Sequence, residues 1–417
     1  MAEQSIITSP HDGELGTLCR ALEERAAELD ASGRWPAEQL ALLAAGGVFG
    51  WFVPTEAGGQ GWSERDLAKG YMRLAASCLT TTFILTQWVA ACRRIVASEY
   101  DGPKALLLSG LAAGRAFTTV GISHLTTSRR HLGRPAMVAR EEGGGFVLDG
   151  YSAWVTGARH ASSIVLGATL EDGRQLLVAM PADSRGIEFP QPAKLLALAA
   201  SHTGEVRCHG TRVDRQWLLA GPVENVLALP SSGGGAGGLP TSALAIGLAT
   251  AAIGYLRQEG RERPDLAASA ESLAAEARQL EKTLLDLTDP PPSATPDEGR
   301  SETARPQSAV DQHPPAPLRP LNRRTRRGAV QGSSATASAM DNDLLAEPPS
   351  TPAELRARAN SLALRASQAA LAAAKGAGFV EGHPAGRWCR EALFFLVWSC
   401  PQEVMLANLC ELAGLRE

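Results

Sequence analysis

The sequence predicts an α+β chain, mainly α, with helices first, a β module in the middle and helices again. Three observations carry this. Apolar residues recur at Leu15, Leu18, Leu22, Ala26 and Leu29, the three-four spacing of one helix face. The stretch Phe146 to Thr156, FVLDGYSAWVT, sets β-branched and aromatic residues on both sides of an Asp-Gly pair. Leu273, Ala277, Leu280, Leu284 and Leu287 repeat at 4-3-4-3, the narrow apolar seam of a bundle helix.

Taken in order, residues 1 to about 13 read as frayed. After the first helix, Trp35-Pro36 opens a second, since proline fits a first helical turn, and Gly46-Gly47 stops it. Val48 to Ser63, VFGWFVPTEAGGQGWS, reads as a loop with aromatic anchors. Helices are expected over Glu64 to Cys78, Thr80 to Ser98 and near Pro103 to Ala113, closing an N-terminal helical domain at 1-115.

The pattern then turns to strands, and a central β domain is expected at 116-228. Asp149-Gly150 supplies the backbone angles of a tight hairpin turn inside the Phe146–Thr156 stretch. Two further apolar runs, Ser163 to Ala168 and Gln175 to Met180, complete the module. The glycine run Ser231 to Gly238 reads as a flexible joint within a linker at 229-240. Helices fill 241-417: Thr241 to Arg257, the Leu273 seam, an alanine-rich helix from Pro352 to about Lys375, and one over Trp388 to Leu396. A last helix follows Pro401. An insert at about 288-350 is rich in Pro, Ser, Thr, Ala and Arg. It holds too few large apolar residues to offset ordering entropy, so it is expected to be disordered. Its run RPLNRRTRR reads as a solvated charge cluster more readily than as a nucleic-acid patch.

Composition narrows the function. The chain of 417 residues is 44% hydrophobic and 20% charged with a net charge of −4, so no strong field favours nucleic acid or an anionic membrane. No signal peptide and no run of about 18 apolar residues is apparent. Seven cysteines, odd in number and irregularly spaced, form no Cys-x-x-Cys pair. They fit a cytoplasmic protein with reduced thiols and no metal site. No Gly-x-Gly-x-x-Gly follows a strand, which sets a dinucleotide-binding α/β fold aside.

Four stretches, in order and at matching spacing, resemble the acyl-CoA dehydrogenase family. They are GVFGWFVPTEAGGQGWS, FVLDGYSAWVTGARHAS, ALAIGLATAAIGYL (Ala243 to Leu256), and GAGF followed by the Arg390-Glu391-Ala392 helix. The resemblance implies an N-terminal helical domain, a central β-barrel-like domain and a C-terminal four-helix bundle. It implies FAD between the β domain and the bundle, a homodimer or homotetramer, and a small-molecule substrate such as an acyl-CoA. By position it places Trp154 and Thr156 against the flavin ring, with Ile122 and, on the stretch SHLTTSRR that follows it, Ser123 and Ser128 as further cofactor contacts. A wall of this kind tunes a flavin's electronics.

The same resemblance exposes a gap. Counting from Arg390-Glu391-Ala392, Ser399 occupies the position of the family's catalytic Glu, and a hydroxyl cannot act as the carboxylate base. The first bundle helix offers no substitute, because no acidic residue lies between Glu224 and Glu259. Glu403 lies a full turn beyond the expected place. Arg257, Arg261 and Arg263 are candidates for a pyrophosphate contact, none in the family's usual context. Three functions remain open. One is an FAD-dependent oxidoreductase acting on a CH-CH group. The second is a flavin monooxygenase on the same fold, for which Ser123, His124, Trp398 and Ser399 would suit. The third is a catalytically silent binding subunit.

Overall fold

The computed structural model describes residues 5–126, 135–230, 238–289 and 348–415. Ser128, most of the glycine joint and nearly all of the 288-350 insert therefore lie outside the described residues.

Five helices come first: α1 (Gly13–Ser32), α2 (Ala37–Ala45), α3 (Glu64–Ser77), α4 (Leu79–Ala97) and α5 (Asp101–Ala112). In α1 the stripe Leu15, Leu18, Leu22, Ala26 and Leu29 is the buried face, and Gly33 ends the helix at φ 60°, its N–H bonded to the Leu29 carbonyl. Ser63 caps α3 by accepting from the Asp66 N–H. Between α2 and α3, the expected loop contains two short 3₁₀ turns, with Trp51 stacked on Trp62 at 4.0 Å.

The middle of the chain is an eight-stranded sheet. Its strands are β1 (Thr118–Gly121), β2 (Met137–Glu142), β3 (Gly145–Val155), β4 (Ser163–Leu170), β5 (Gln175–Pro181), β6 (Ile187–Glu188), β7 (Gly204–Asp214) and β8 (Leu218–Val223). The order is β6-β7-β3-β2-β4-β5-β8, and β1 pairs with β4 in parallel. A four-residue helix, α6 (Ser123–Thr126), follows β1. Along β4, Ile164, Leu166 and Ala168 enter the sheet's own core, while Val165 faces the helices, as period-two alternation requires. All eight residues of β4 are buried, so both faces are covered.

The hairpin expectation at Asp149-Gly150 is corrected. β3 runs unbroken through that pair, and Gly150 takes φ 119° where the pairing with β7 shifts register. The glycine's freedom is spent on a bulge, not a turn. The turn joining β2 to β3 is Gly143-Gly144, at φ 59° and 80°.

Helices close the chain: α7 (Leu239–Glu262), α8 (Ala267–Thr288), α9 (Pro352–Ala374), α10 (Pro384–Phe394) and α11 (Gln402–Leu412). α9 starts on a capping box of Thr351 and Glu354 with Pro352 in its first turn. α7 packs on α3, α8 and α9, and α9 also packs on α10 and α11. α7 is long and apolar enough to cross a bilayer by composition, but 67% of its apolar window is buried against these neighbours. The fold is mainly helical with a central sheet.

Candidate functional site

The ends of β1 and β3 meet. A Cβ placed on Gly121 would lie 2.8 Å from Leu166 and Val155 side-chain carbons and 3.0 Å from Ser152 Oγ. Only glycine lets β1 lie this close, and the contact sets Gly121, just ahead of Ile122 and Ser123, against Ser152 and Val155 of β3. α4 covers this region, packing on β1, β4 and α7.

Ile122 contributes an apolar surface that is 8% exposed. The Ser123 hydroxyl oxygen is buried without a hydrogen-bond partner. His124 Nε2 lies 2.9 Å from the Gly167 carbonyl oxygen, which can only accept. Nε2 therefore carries the proton, and Nδ1 presents a lone pair. Nδ1 is buried and also lacks a partner. Burial pushes the imidazole below its ordinary pKa, so the ring is kept neutral. Two orphaned polar atoms on adjacent residues need explaining, since buried polar groups are nearly always bonded.

On β3, Trp154 is 53% exposed, with Val155 fully buried beneath it. An indole lying open on a strand next to buried neighbours offers a flat aromatic face to a partner. Thr156 is buried, and its hydroxyl lies 2.8 Å from that of Thr203, which lies 2.8 Å from the Ser201 hydroxyl. Each hydroxyl both donates and accepts, so the chain holds the Thr156 rotamer while leaving bonding capacity at its end.

This hydroxyl chain is clamped from below. Leu198 and His202 bracket the turn Ala199–Ser201, at φ 59° and 46°. Such backbone persists only where its surroundings hold it. Here His202 Nε2 donates to the Gly33 carbonyl oxygen at 3.1 Å, so its Nδ1 must accept from His160 Nε2 at 2.9 Å. Trp35 stacks on His160 at 4.2 Å. The α1–α2 connection thus grips the wall.

Ser399 sits elsewhere. Its φ is 43°, and the preceding Trp398 packs edge-on against Phe83 of α4 at 5.1 Å and stacks on Phe394 at 5.3 Å. The segment after α10 therefore abuts α4, which also covers β1. Among the described residues, no hydrogen bond, ion pair or ring contact joins Ser399 directly to Trp154 or Thr156. Arg257 forms a two-pronged bond to Glu271 at 2.8 and 2.9 Å, and Arg263 donates to the Ala373 carbonyl oxygen at 2.7 Å, so both serve the bundle internally. Arg261 is exposed.

Sequence reasoning missed two groups. Ser201 and Thr203 were not singled out; the polar run Ser201-His202-Thr203 ahead of a strand was the available signal. Glu391 was noted only as part of a motif. It is 3% exposed, and burial lifts its pKa to about 7, opposed by Arg387 at 3.9 Å. Among the described residues no group of three or more His, Cys, Asp or Glu side chains could hold a metal ion.

Comparison with known proteins places these features. Residues 17–115 match the family model for the acyl-CoA dehydrogenase N-terminal domain. The chain is 24% identical over 253 residues to a probable acyl-CoA dehydrogenase, YngJ, of Bacillus subtilis, covering 58% of this chain and 65% of that protein. It is 27% identical over 229 residues to the mouse mitochondrial short-chain specific acyl-CoA dehydrogenase, covering 50% and 53%. These matches span between about half and two thirds of the relatives' length. A solved glutaryl-coenzyme A dehydrogenase structure superposes with a TM-score of 0.70 at 16% identity, covering 97% of this chain and 96% of that one, which shows a shared fold.

Proposed function

We propose that the chain is an FAD-dependent oxidoreductase of the acyl-CoA dehydrogenase family, acting on the CH-CH group of an acyl thioester or a similar substrate; the match of residues 17–115 to that family's N-terminal domain and the relatives above support this. The observation that carries this reading is the pair of orphaned atoms, Ser123 Oγ and His124 Nδ1, just after β1, whose Gly121 packs on Val155, the sequence neighbour of the exposed Trp154. A flavin's ring system has one apolar aromatic face and one edge of alternating donors and acceptors. Trp154 suits the face; the Ser123 hydroxyl, which donates or accepts, and the His124 lone pair suit the edge. The residues present therefore fit the group.

When bound, FAD supplies the hydride-accepting centre that no protein side chain provides. Trp154 and Ile122 line the site and exclude water. Thr156, held by Thr203 and Ser201, and Ser123 orient the ring through their hydroxyls. His124 stays neutral and accepts a proton-bearing edge. At the position that the resemblance gives to the family's Glu, this chain has Ser399, which cannot serve as a carboxylate base. The serine at that position favours a second reading, a flavin monooxygenase on the same fold, in which no α-proton would need to be removed.

A homo-oligomer is part of the proposal. Leu393, Val397, Leu406, Leu409 and Leu412 are between 42% and 75% exposed near the chain's end, an apolar surface that a second copy would cover. All seven cysteines are free, in keeping with a reducing cytoplasm.

Trp154→Ala is expected to lower FAD occupancy of the purified protein at least about tenfold, roughly 1.4 kcal/mol. Unchanged occupancy removes Trp154 from the wall. Anaerobic mixing of the loaded protein with a panel of acyl-CoAs then separates the readings: bleaching of the flavin absorbance supports dehydrogenation. Bleaching only by a reduced nicotinamide or flavin donor, followed by oxygen uptake, supports the monooxygenase.

A further inference from the structure

Beneath the turn that carries Ser399 lies a cation that has no counter-ion among the described residues. Arg356, in the first turns of α9, is 1% exposed. Its Nη2 donates to the Trp398 carbonyl oxygen at 3.1 Å. Its Nε and Nη1 are buried with no acceptor. The guanidinium lies 5.6 Å from the Phe395 ring centre and 5.9 Å from that of Trp398. The titratable group that bears on it is the Cys400 thiol, and burial pulls the guanidinium down to about 10, still charged at neutral pH.

One turn further along the same face, Asn360 is fully buried. Its Nδ2 donates to the Phe395 carbonyl oxygen at 3.2 Å, which fixes the amide's orientation, and its Oδ1 is left without a donor. Three unsatisfied polar atoms thus cluster under residues 395–400. Cation–π contact offsets part of the cost of desolvating a cation. The cost of burying an unpaired charge is larger. An aromatic sandwich alone does not account for an Arg here.

We propose that Arg356, supported by Asn360, recognises a carboxylate group of the substrate, so that the substrate is a free acid or an acyl chain ending in one. A monoanion cancels the single positive charge, whereas a phosphate dianion would leave an excess charge in a buried site. The planar guanidinium matches a planar carboxylate, and the Asn360 oxygen receives a proton-bearing neighbour of it or a bridging water. The turn above the guanidinium, Trp398 to Pro401, is half-buried. The substitution of Ser399 for a carboxylate then has a chemical sense: an acid there would compete for Arg356. The word substrate rests on the function proposed above; the anion site does not.

Calorimetric titration of the full chain tests this with benzoate, its neutral isostere benzamide, and inorganic phosphate. Benzoate is expected to bind at least about tenfold more tightly than either of the others, with no change between pH 6 and 8. Arg356→Met, of similar length and apolar, is expected to abolish that preference and leave FAD binding as in the wild type. If that variant does not fold, Arg356→Lys is expected to keep the preference for benzoate over benzamide at several-fold lower affinity. Equal binding of benzoate and benzamide, tighter binding of phosphate, or full benzoate affinity in the Met variant overturns the proposal. A chain that binds benzoate as described but not FAD retains the anion site and loses the flavin function.

Discussion

Gly247→Leu is expected to destabilise the chain by about 3 kcal/mol or more, through overpacking that no side chain can relieve. A Cβ at Gly247 would lie 2.4 Å from the Met72 carbonyl oxygen and 3.2 Å from the Ala76 N, both backbone atoms of α3. Rotamer changes cannot move backbone, so α7 and α3 must separate. The residues of α7 from Thr241 to Ala249 are all buried, so separation exposes a wide apolar stripe. Gly247→Ala is the informative intermediate. Alanine gains about 1 kcal/mol of helix propensity over glycine. The clash of its single methyl opposes this, and at 2.4 Å the clash should win. Thermal unfolding followed by circular dichroism checks the order: wild type above Ala, Ala above Leu. A Leu variant that melts within a degree or two of the wild type would show that α3 and α7 are not in contact as described.

The second large effect is on pH. Glu391 has its folded pKa raised from 4.5 to about 7 by burial. A raised carboxyl pKa means that the folded state holds the proton more tightly than the unfolded chain. Its contribution to stability is therefore complete below about 4.5 and is lost as pH rises through about 7. The shift corresponds to roughly 3 kcal/mol between those limits. Arg387, itself 8% exposed, tempers the loss without cancelling it. Glu391→Gln mimics the protonated acid. It is expected to be the more stable protein at pH 8, to match the wild type near pH 5, and to flatten the slope between. Denaturant unfolding at several pH values measures this. A wild type whose stability does not fall between pH 5 and 8 more steeply than that of the Gln variant would place Glu391 as an ionised partner of Arg387.

Much of the fold was legible because it rests on local periodicity. The stripe of α1, the capped start of α9 and the seam of α8 each follow from residues a few positions apart. The Asp149-Gly150 turn failed for an instructive reason. Positive φ at a glycine serves a hairpin turn and a bulge equally well, and the choice was made by β7, some 60 residues away in sequence. Gly143-Gly144, only a few residues earlier, took the turn.

The site divides along the same line. Trp154 and Thr156 were proposed from a spaced motif at the end of β3. The hydroxyl partner of Thr156 is 47 residues distant, and the carbonyl that fixes the His124 tautomer is 43 residues distant. No local pattern encodes either pairing. Nothing in the alanine-rich pattern from Pro352 marks Arg356; only the packing of Phe395 and Trp398 over it reveals a buried cation. That a serine, Ser399, falls where the resemblance expects a Glu comes from counting alone, whereas the buried cation beneath that turn needed three dimensions.

The central claim is that the joined ends of β1 and β3 form one flavin-binding wall. Titration of the purified, flavin-stripped full chain with FAD, followed by flavin fluorescence and tryptophan quenching, tests it most directly. The account predicts saturable binding of about one FAD per chain with a Kd near or below the micromolar range, about 8 kcal/mol of binding free energy. Ser123→Ala with His124→Leu should weaken it. A colourless protein that leaves added FAD free in solution, or one whose FAD affinity ignores that double substitution, would contradict it.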